Sequence, residues 1–362
     1  MRTVLILGAR APIALEMARS FSAAGCRVIM ADSLRFTLAR WSNCVHAYYT
    51  LPAPNKIPIY FIEVLKNIIQ IEKIDHIIPT CEEAFYVSMY KESLNCTVWT
   101  ADFKVMNALH NKYTFIEQAI SYFSVPKTIR VSDFTQWEQS KNFVFKPIYS
   151  RFATDVLINK DAACCKRKIT DPRKWIAQER IYGKEICVYT IWEDGKLKGY
   201  VAYHPSIRIG NGSGIYFEPY SNDFLLKQVQ SFGASIRYTG QLCFDFIINE
   251  SNAYVLECNP RGTSGAHLLN TQLADCFLNK EYFVTNCDVT FSIKGAILLT
   301  KPLAFFTKKF HRSTDVVLQW KDLLPALLQP ISILEIAYIK FKHKTSWLGA
   351  TTGDIEWNGS HD

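Results

Sequence analysis

Apolar positions follow two rhythms in the first ninety-odd residues. Residues 3–7 form a continuous apolar run ending at Gly8, residues 13–24 recur at helical spacing up to Gly25, and residues 27–31 form a second run ending in Asp32. Residues 65–71 continue as helix, and residues 75–79 are a third apolar strand followed by Thr80, Cys81, Glu82 and Glu83. Unbroken apolar strands alternating with amphipathic helices predict a doubly wound α/β domain over residues 1–96. From Thr97 the texture becomes α+β to about residue 290, with strand-like runs at 128–131, 142–147, 175–181 and 185–203, and a helix over 223–237. Residues 291–362 read as a helical, apolar and basic segment.

The sharpest pattern lies at 243–261. Residues 244–248 and 253–257 alternate aromatic and β-branched positions on either side of Asn249–Glu250–Ser251–Asn252, the signature of a hairpin. A three-residue loop, 250–252, with Asn252 in the left-handed conformation, would pair Asn249 with Ala253 and set Asp245 opposite Glu257. Phe244, Phe246, Ile248, Tyr254 and Leu256 would then be the buried face. Two carboxylates on one face repel unless a cation lies between them, and oxygen ligands favour Mg²⁺ or Mn²⁺ over zinc. Asn259 adds a neutral oxygen and Arg261 a fork that suits phosphate. A solvated surface hairpin is the plainer alternative. Lys146 emerges at the end of an apolar strand halted by Pro147, which points to an anion unless its stem merely snorkels to the surface.

Length and charge narrow the classes. With 362 residues, 49% hydrophobic, the chain can build more than one core. A formal charge of +8 favours anionic partners, yet no Lys/Arg run is dense enough for nucleic acid. Eleven cysteines without a Cys-x-x-Cys pair argue for a reducing compartment, and the short apolar start, followed by Arg10, Glu16 and Arg19, reads as cytoplasmic. Residues 323–341 are amphipathic but interrupted by Pro325 and Pro330 and carry Glu335 and Lys340, so no membrane span is expected. Packing on the main body, or on a partner, is the default, with binding to a membrane surface the lesser alternative, and a homodimer is a candidate assembly of the chain.

Gly8 and Asp32 sit about where a dinucleotide fingerprint wants a glycine and an acid. The turn lacks the later glycines, and Arg10 and Pro12 crowd it. Ligands of such sheets still bind beyond the strands' carboxyl ends, so Arg10, Asp32, Glu82 and Glu83 are candidate substrate contacts, with helix capping the alternative for the acids. Residues 208–214 form a lid or a flexible turn, and Arg208 there is a further candidate substrate contact. The ending Asp354–Ile355–Glu356–Trp357–Asn358 is unusual for a tail and either docks near the acceptor pocket or lies as an ordered surface strand.

Taken together, Lys112, Lys146, Gln178, Glu179, Glu185, Asp245, Glu257, Asn259 and Arg261 resemble, in order and spacing, the ATP-grasp superfamily, and most nearly its carbamoyl-phosphate-synthase-like and biotin-carboxylase-like branch. The resemblance covers residues 1–290. It implies an N-terminal α/β domain, an ATP-grasp domain of two α+β subdomains at 97–290 and a helical C-terminal segment. It also implies roles. Lys112 and Lys146 would hold ATP phosphates, Gln178, Glu179 and Ile181 would meet adenine, and Glu185 would meet the ribose. Asp245, Glu257 and Asn259 would ligate Mg²⁺ or Mn²⁺, and Arg261 would stabilise the transferring phosphoryl. Residues 149–154 depart from the glycine-rich loop of many relatives, and Arg151 there replaces amide contacts or meets the substrate. The implied activity is an ATP-dependent carboxylate–amine ligase acting through an acyl phosphate on small, anionic carboxylate and amine substrates. A phosphotransferase, a carbamate-phosphorylating enzyme and a non-catalytic nucleotide-binding regulator are the rivals.

Overall fold

The computed structural model describes all residues except 152–154, 211, 213, 251, 280–282, 286–287 and 360–362. The first unit alternates strand and helix: β1 (Thr3–Leu7), α1 (Pro12–Ala23), β2 (Arg27–Asp32), β3 (Ala47–Thr50), α2 (Pro58–Glu72), β4 (His76–Ile78), α3 (Glu83–Met89) and β5 (Thr97–Val98). The strands make a parallel sheet in the order β3-β2-β1-β4-β5. β1 is buried at every position, which is why it reads as an unbroken apolar run and not as an alternation. β3, Ala-Tyr-Tyr-Thr, carries little apolar signal and is held as a strand by its pairing with β2.

Two helices, α4 (Phe103–His110) and α5 (Lys112–Ala119), lead to a four-stranded sheet ordered β6-β9-β7-β8. Its members are β6 (Thr128–Arg130), β7 (Phe143–Pro147), β8 (Leu157–Ile158) and, after α6 (Ala162–Lys168), β9 (Trp175–Glu179). Phe134, Phe143 and Phe145 pack edge to face at 4.9 and 5.3 Å in a small core of their own. Then come β10 (Lys184–Glu193), β11 (Lys196–Arg208), β12 (Gly214–Tyr220), α7 (Asp223–Ser235), β13 (Gly240–Ile248) and β14 (Ala253–Asn259). With two later two-residue strands, β15 (Phe291–Ser292) and β16 (Thr314–Asp315), they form a seven-stranded sheet, β14-β13-β10-β11-β12-β15-β16. One buried cluster runs from Leu5 and Leu7 through Phe115 to Phe232 and Phe244, so the first sheet and the large sheet share a core.

α7 lies on the large sheet at Gly233, where an added Cβ would sit 2.4 Å from the Trp192 ring. Trp192 is fully buried and rigid, so the clash cannot be relieved cheaply. Gly233→Ala is expected to cost about 1–3 kcal/mol, read as a lowered urea midpoint; an unchanged midpoint would mean that α7 packs elsewhere.

The remainder comprises α8 (Asp275–Leu278), β15 (Phe291–Ser292), α9 (Lys294–Thr300), α10 (Lys308–Arg312), β16 (Thr314–Asp315), α11 (Leu324–His343) and α12 (Trp347–Thr352). The expected interruption of 323–341 is not observed. Pro325 falls in the first turn, where no helical N–H is lost, and the exposed Pro330 is accommodated inside a continuous helix. By length and composition alone, α11 is long and apolar enough to cross a membrane.

The carboxylate hairpin and its surroundings

Asp245 and Glu257 face each other across β13 and β14, though not by the expected loop. Ile248 pairs with Ala253, leaving four loop residues, and Asn252 has no positive φ. The Asn249 N–H instead donates to the Asn252 carbonyl at 3.0 Å, and the Asn252 N–H to Asn249 Oδ1 at 3.0 Å. That register alone would set Asp245 against Leu256. The register shifts between Phe246 and Asp245, so Leu256 is an extra residue on β14 and Glu257 arrives opposite Asp245. The core face is correspondingly Phe244, Phe246, Ala253, Val255 and Cys258, whereas Ile248, Tyr254 and Leu256 are only partly buried.

The bulge turns the Leu256 carbonyl toward two polar side chains. Lys146 Nζ and Gln178 Nε2 each lie 3.4 Å from it. Lys146, on β7, is also 3.7 Å from Glu257 Oε2, and Lys112, at the start of α5, is 3.5 Å from the same oxygen. Lys112 Nζ donates to the Ser150 carbonyl at 3.0 Å. Both lysines are buried. Burial pushes the Lys146 ammonium down to about 8, while Glu257 opposes the shift and Lys112 adds to it. Burial also works against the charged form of Glu257, but Lys112 and Lys146 hold its carboxyl well below the usual range. Burial, and then the Glu257 charge, pushes the Asp245 carboxyl up. Two carboxylates set apart in this way form a seat for a divalent cation, which would relieve their repulsion. Among the described residues no cluster of three or more His, Cys, Asp and Glu side chains could hold a metal, and the neutral side chain beside the two acids is Asn259. Its Nδ2 lies 3.4 Å from Asp245 Oδ2, and its Oδ1 lies 3.4 Å from an Arg261 nitrogen. The oxygen-donor set fits a hard cation.

Arg261 Nε is buried without a hydrogen-bond partner among the described residues and lies 3.8 Å from Glu82 Oε1. Glu82 also receives Arg151 Nε at 3.0 Å and the Trp357 backbone N–H at 2.9 Å. The acids and the arginines thus form one connected constellation at the carboxyl ends of the first sheet. Glu83 has a different position: Oε1 accepts the Thr80 and Cys81 N–H groups at 2.9 Å, and burial pushes its carboxyl up to about 7. Glu185, on the neighbouring strand β10, pairs with Arg208 and is near enough to the hairpin that its charge adds to burial and Glu257 in raising the Asp245 carboxyl, while Arg208 opposes it. Glu179 is exposed and Ile181 partly buried, both beside the β9–β10 turn. The part of the 149–154 departure that falls on 152–154 lies outside the described residues, as do 211 and 213 of the 208–214 loop.

Asp32 is spent on Arg10: its oxygens accept the Arg10 backbone N–H at 3.0 Å and the guanidinium at 2.5–3.1 Å. The Arg10 guanidinium also binds Ser33, the Thr351 carbonyl and Asp354, which engages all three of its nitrogens. Gly8 has φ +75°, and a Cβ there would sit 2.4 Å from Thr80 Oγ1, so this glycine serves a turn packed on β4's end.

The C-terminal segment docks back, as one of its two sequence readings had it; what sequence reasoning missed is its grip on Arg10 and Arg151. Ile355 is buried in a recess with Leu7, Leu51 and Phe61, Glu356 and Asn358 both bind Arg151, and Gly359 lies against the Tyr149 ring. The acid–apolar alternation of 354–357 was the one available signal. Burial raises the Asp354 carboxyl, but Arg10 and Ser33 outweigh it and hold it below its ordinary value. A depressed carboxyl contributes stability above its unfolded pKa of about 4 that is lost as pH falls through the folded value. Proteolytic release of the tail is therefore expected to be slow at neutral pH and to accelerate below about pH 4. In Asp354→Asn that acid-dependent step should disappear; a step of unchanged size would assign it to another group.

His110 was also missed. Its ring is buried, 4.9 Å from Phe85 and 5.6 Å from Tyr149, and burial together with Lys112, Arg261 and Arg151 keeps the imidazole neutral. Nothing in the spacing signals it.

Residues 109–265 match the family model of the ATP-grasp domain. No curated protein matches the chain. Among solved structures, the ADP complex of an N5-carboxyaminoimidazole ribonucleotide synthetase is 13% identical with a TM-score of 0.64, covering 83% of this chain and 85% of that one. The biotin carboxylase domain of Hydrogenobacter thermophilus 2-oxoglutarate carboxylase, bound to MgADP, ADP and bicarbonate, is 12% identical with a TM-score of 0.61, covering 78% and 71%. L-amino acid ligase from Bacillus licheniformis is 15% identical with a TM-score of 0.57, covering 74% and 68%.

Proposed function

Because residues 109–265 match the family model of the ATP-grasp domain, we propose that the chain is an ATP-grasp enzyme, an ATP- and Mg²⁺-dependent carboxylate–amine ligase. The observation that carries this reading is Glu257, held ionised by Lys112 and Lys146 and set across the strand pair from Asp245. The similar structures bound to ADP or MgADP support the same choice of nucleotide and metal.

In this reading Asp245, Glu257 and Asn259 hold Mg²⁺, which, when bound, neutralises phosphate charge and orients the triphosphate. Lys112 and Lys146 place two buried cations where phosphate oxygens would otherwise face only carboxylates. The strand connection through Gln178, Glu179 and Ile181 takes the adenine, and Glu185 takes the ribose hydroxyls. Arg261, whose Nε has no hydrogen-bond partner among the described residues, and Arg151 stand on the acceptor side around Glu82. They would orient an anionic carboxylate for attack on the γ-phosphate and stabilise the acyl phosphate. An amine then attacks the carbonyl carbon, the C–O bond to phosphate breaks, and ADP and phosphate leave. Catalysis of this kind rests on positioning and preorganised charge.

The test is to incubate the protein with ATP, Mg²⁺ and a library of small acids in hydroxylamine. A hydroxamate formed with one acid, in step with ADP, supports the ligase. ADP formed with an alcohol or carbamate acceptor and no hydroxamate from any acid would replace it with a phosphotransferase. No acceptor raising ADP formation above background would leave a nucleotide-binding regulator.

A further inference from the structure

α11 presents an apolar stripe that the described residues leave exposed. Its most apolar 18-residue window has a mean hydropathy of 1.3, and only 11% of that window is buried. Positions 324, 327, 331, 334, 338 and 341 recur at alternating steps of three and four, which sets them on one face. Leu324, Leu327, Leu334, Tyr338 and Phe341 are 50%, 64%, 68%, 61% and 72% exposed. A contiguous exposed apolar stripe marks an interaction surface.

The charges around it select the partner. Glu335, the only acid in α11, is turned into the chain, where it accepts the Arg35 and Phe36 N–H groups at 2.9 and 2.7 Å. Lys321 precedes the helix, and Lys340, Lys342 and Lys344 cluster at its end. The ammonium of Lys340 lies 4.7 Å from the Phe341 ring, and that of Lys342 lies 5.5 Å from the Tyr338 ring, so the cations flank the stripe. Residues 294–344 hold nine Lys and Arg against three Asp and Glu, and one of those acids, Asp322, is buried in a pair with Arg19. Two copies of α11 packed antiparallel would bring Lys321 against the terminal lysines, and packed parallel would bring the lysines against each other. Neither arrangement offers an acid in return. An anionic lipid surface complements both the apolar stripe and the cations, and the exposed Trp320 and Trp347 at the two ends suit the headgroup region. Pro330, Glu335 and Lys340 disfavour crossing but not lying flat.

We infer that α11 docks the protein on the surface of an anionic membrane, stripe inward, without spanning it. The experiment is co-sedimentation of the full chain with vesicles of phosphatidylcholine alone and of phosphatidylcholine with one third phosphatidylglycerol. At least about tenfold more protein should sediment with the anionic vesicles, and raising salt to about 0.5 M should remove most of the difference. Leu334→Glu and Lys340→Glu/Lys342→Glu should each lower binding about tenfold or more. Circular dichroism melts should change little, because Leu334 and Lys342 are exposed and the Lys340 ammonium meets, outside α11, the ring of the exposed Trp347. Equal sedimentation with both vesicle types, or binding untouched by Leu334→Glu, overturns the inference. So does a concentration-dependent dimer in light scattering that Leu334→Glu abolishes, since a second copy would then own the stripe.

Discussion

Glu257→Gln is expected to lower Mg²⁺-dependent ADP formation by at least about a hundredfold, or ~3 kcal/mol of barrier, with the fold retained. The replacement keeps the shape and removes the charge that Lys112 and Lys146 face at 3.5 and 3.7 Å. Leaving two buried ammoniums without their partner would ordinarily be costly. Here the cost is moderated, because the Glu257 side chain is about a quarter exposed. The Asp245 carboxyl, which the Glu257 charge helps to push up, also becomes easier to ionise once that charge is gone. Folding should therefore survive while the metal seat does not. The measurements are ADP release with saturating acceptor, a circular dichroism melt, and nucleotide binding at millimolar Mg²⁺. Wild-type ADP release from a folded Glu257→Gln protein would remove the hairpin from the reaction altogether.

The second large effect is expected at the other end of the chain. Trp357 stacks on Phe85 at 6.1 Å, meets Tyr86 and Phe103 edge-on at 5.6 and 5.4 Å, and donates through Nε1 to Asn107 at 3.0 Å. Trp357→Ala should cost about 3–5 kcal/mol, and the melting temperature should fall on the order of 5–10 °C. Trp357→Phe keeps the ring contacts and loses one hydrogen bond, so most of the stability should return. Because Glu356 and Asn358 hold Arg151, the Ala variant should also lose affinity for the acid substrate more than for ATP. An unchanged melt and unchanged kinetics would reduce the tail to decoration.

Much of the site could be read from the sequence because strand alternation is a short-range property. The run from Phe244 to Arg261 announces a hairpin, its acids and its flanking arginine without any knowledge of the rest of the chain. Its register could not be read. The three-residue loop was the wrong route to the right pairing, because the residue added to the expected loop is matched by an extra one at Leu256. That bulge is supported from outside the hairpin, by the Lys146 and Gln178 side chains on β7 and β9. β3 was illegible for a similar reason, since Ala-Tyr-Tyr-Thr is a strand only because β2 offers an edge. Pro330 misled in the opposite direction: a lost helix hydrogen bond on an exposed face was too weak to end α11.

By itself, then, the order of apolar and polar residues determined the α/β start, the acid-bearing hairpin, the strand-end lysine and the basic apolar finish, since each depends on neighbours a few positions away. Tertiary structure alone decided that Lys112 and Lys146 converge on one oxygen of Glu257, that Asp32 is consumed by Arg10, and that residues 354–358 return to grip Arg10 and Arg151. Those contacts join segments from 22 to 344 positions apart. Their free energy comes from burying charge beside charge, a quantity that local patterning does not contain.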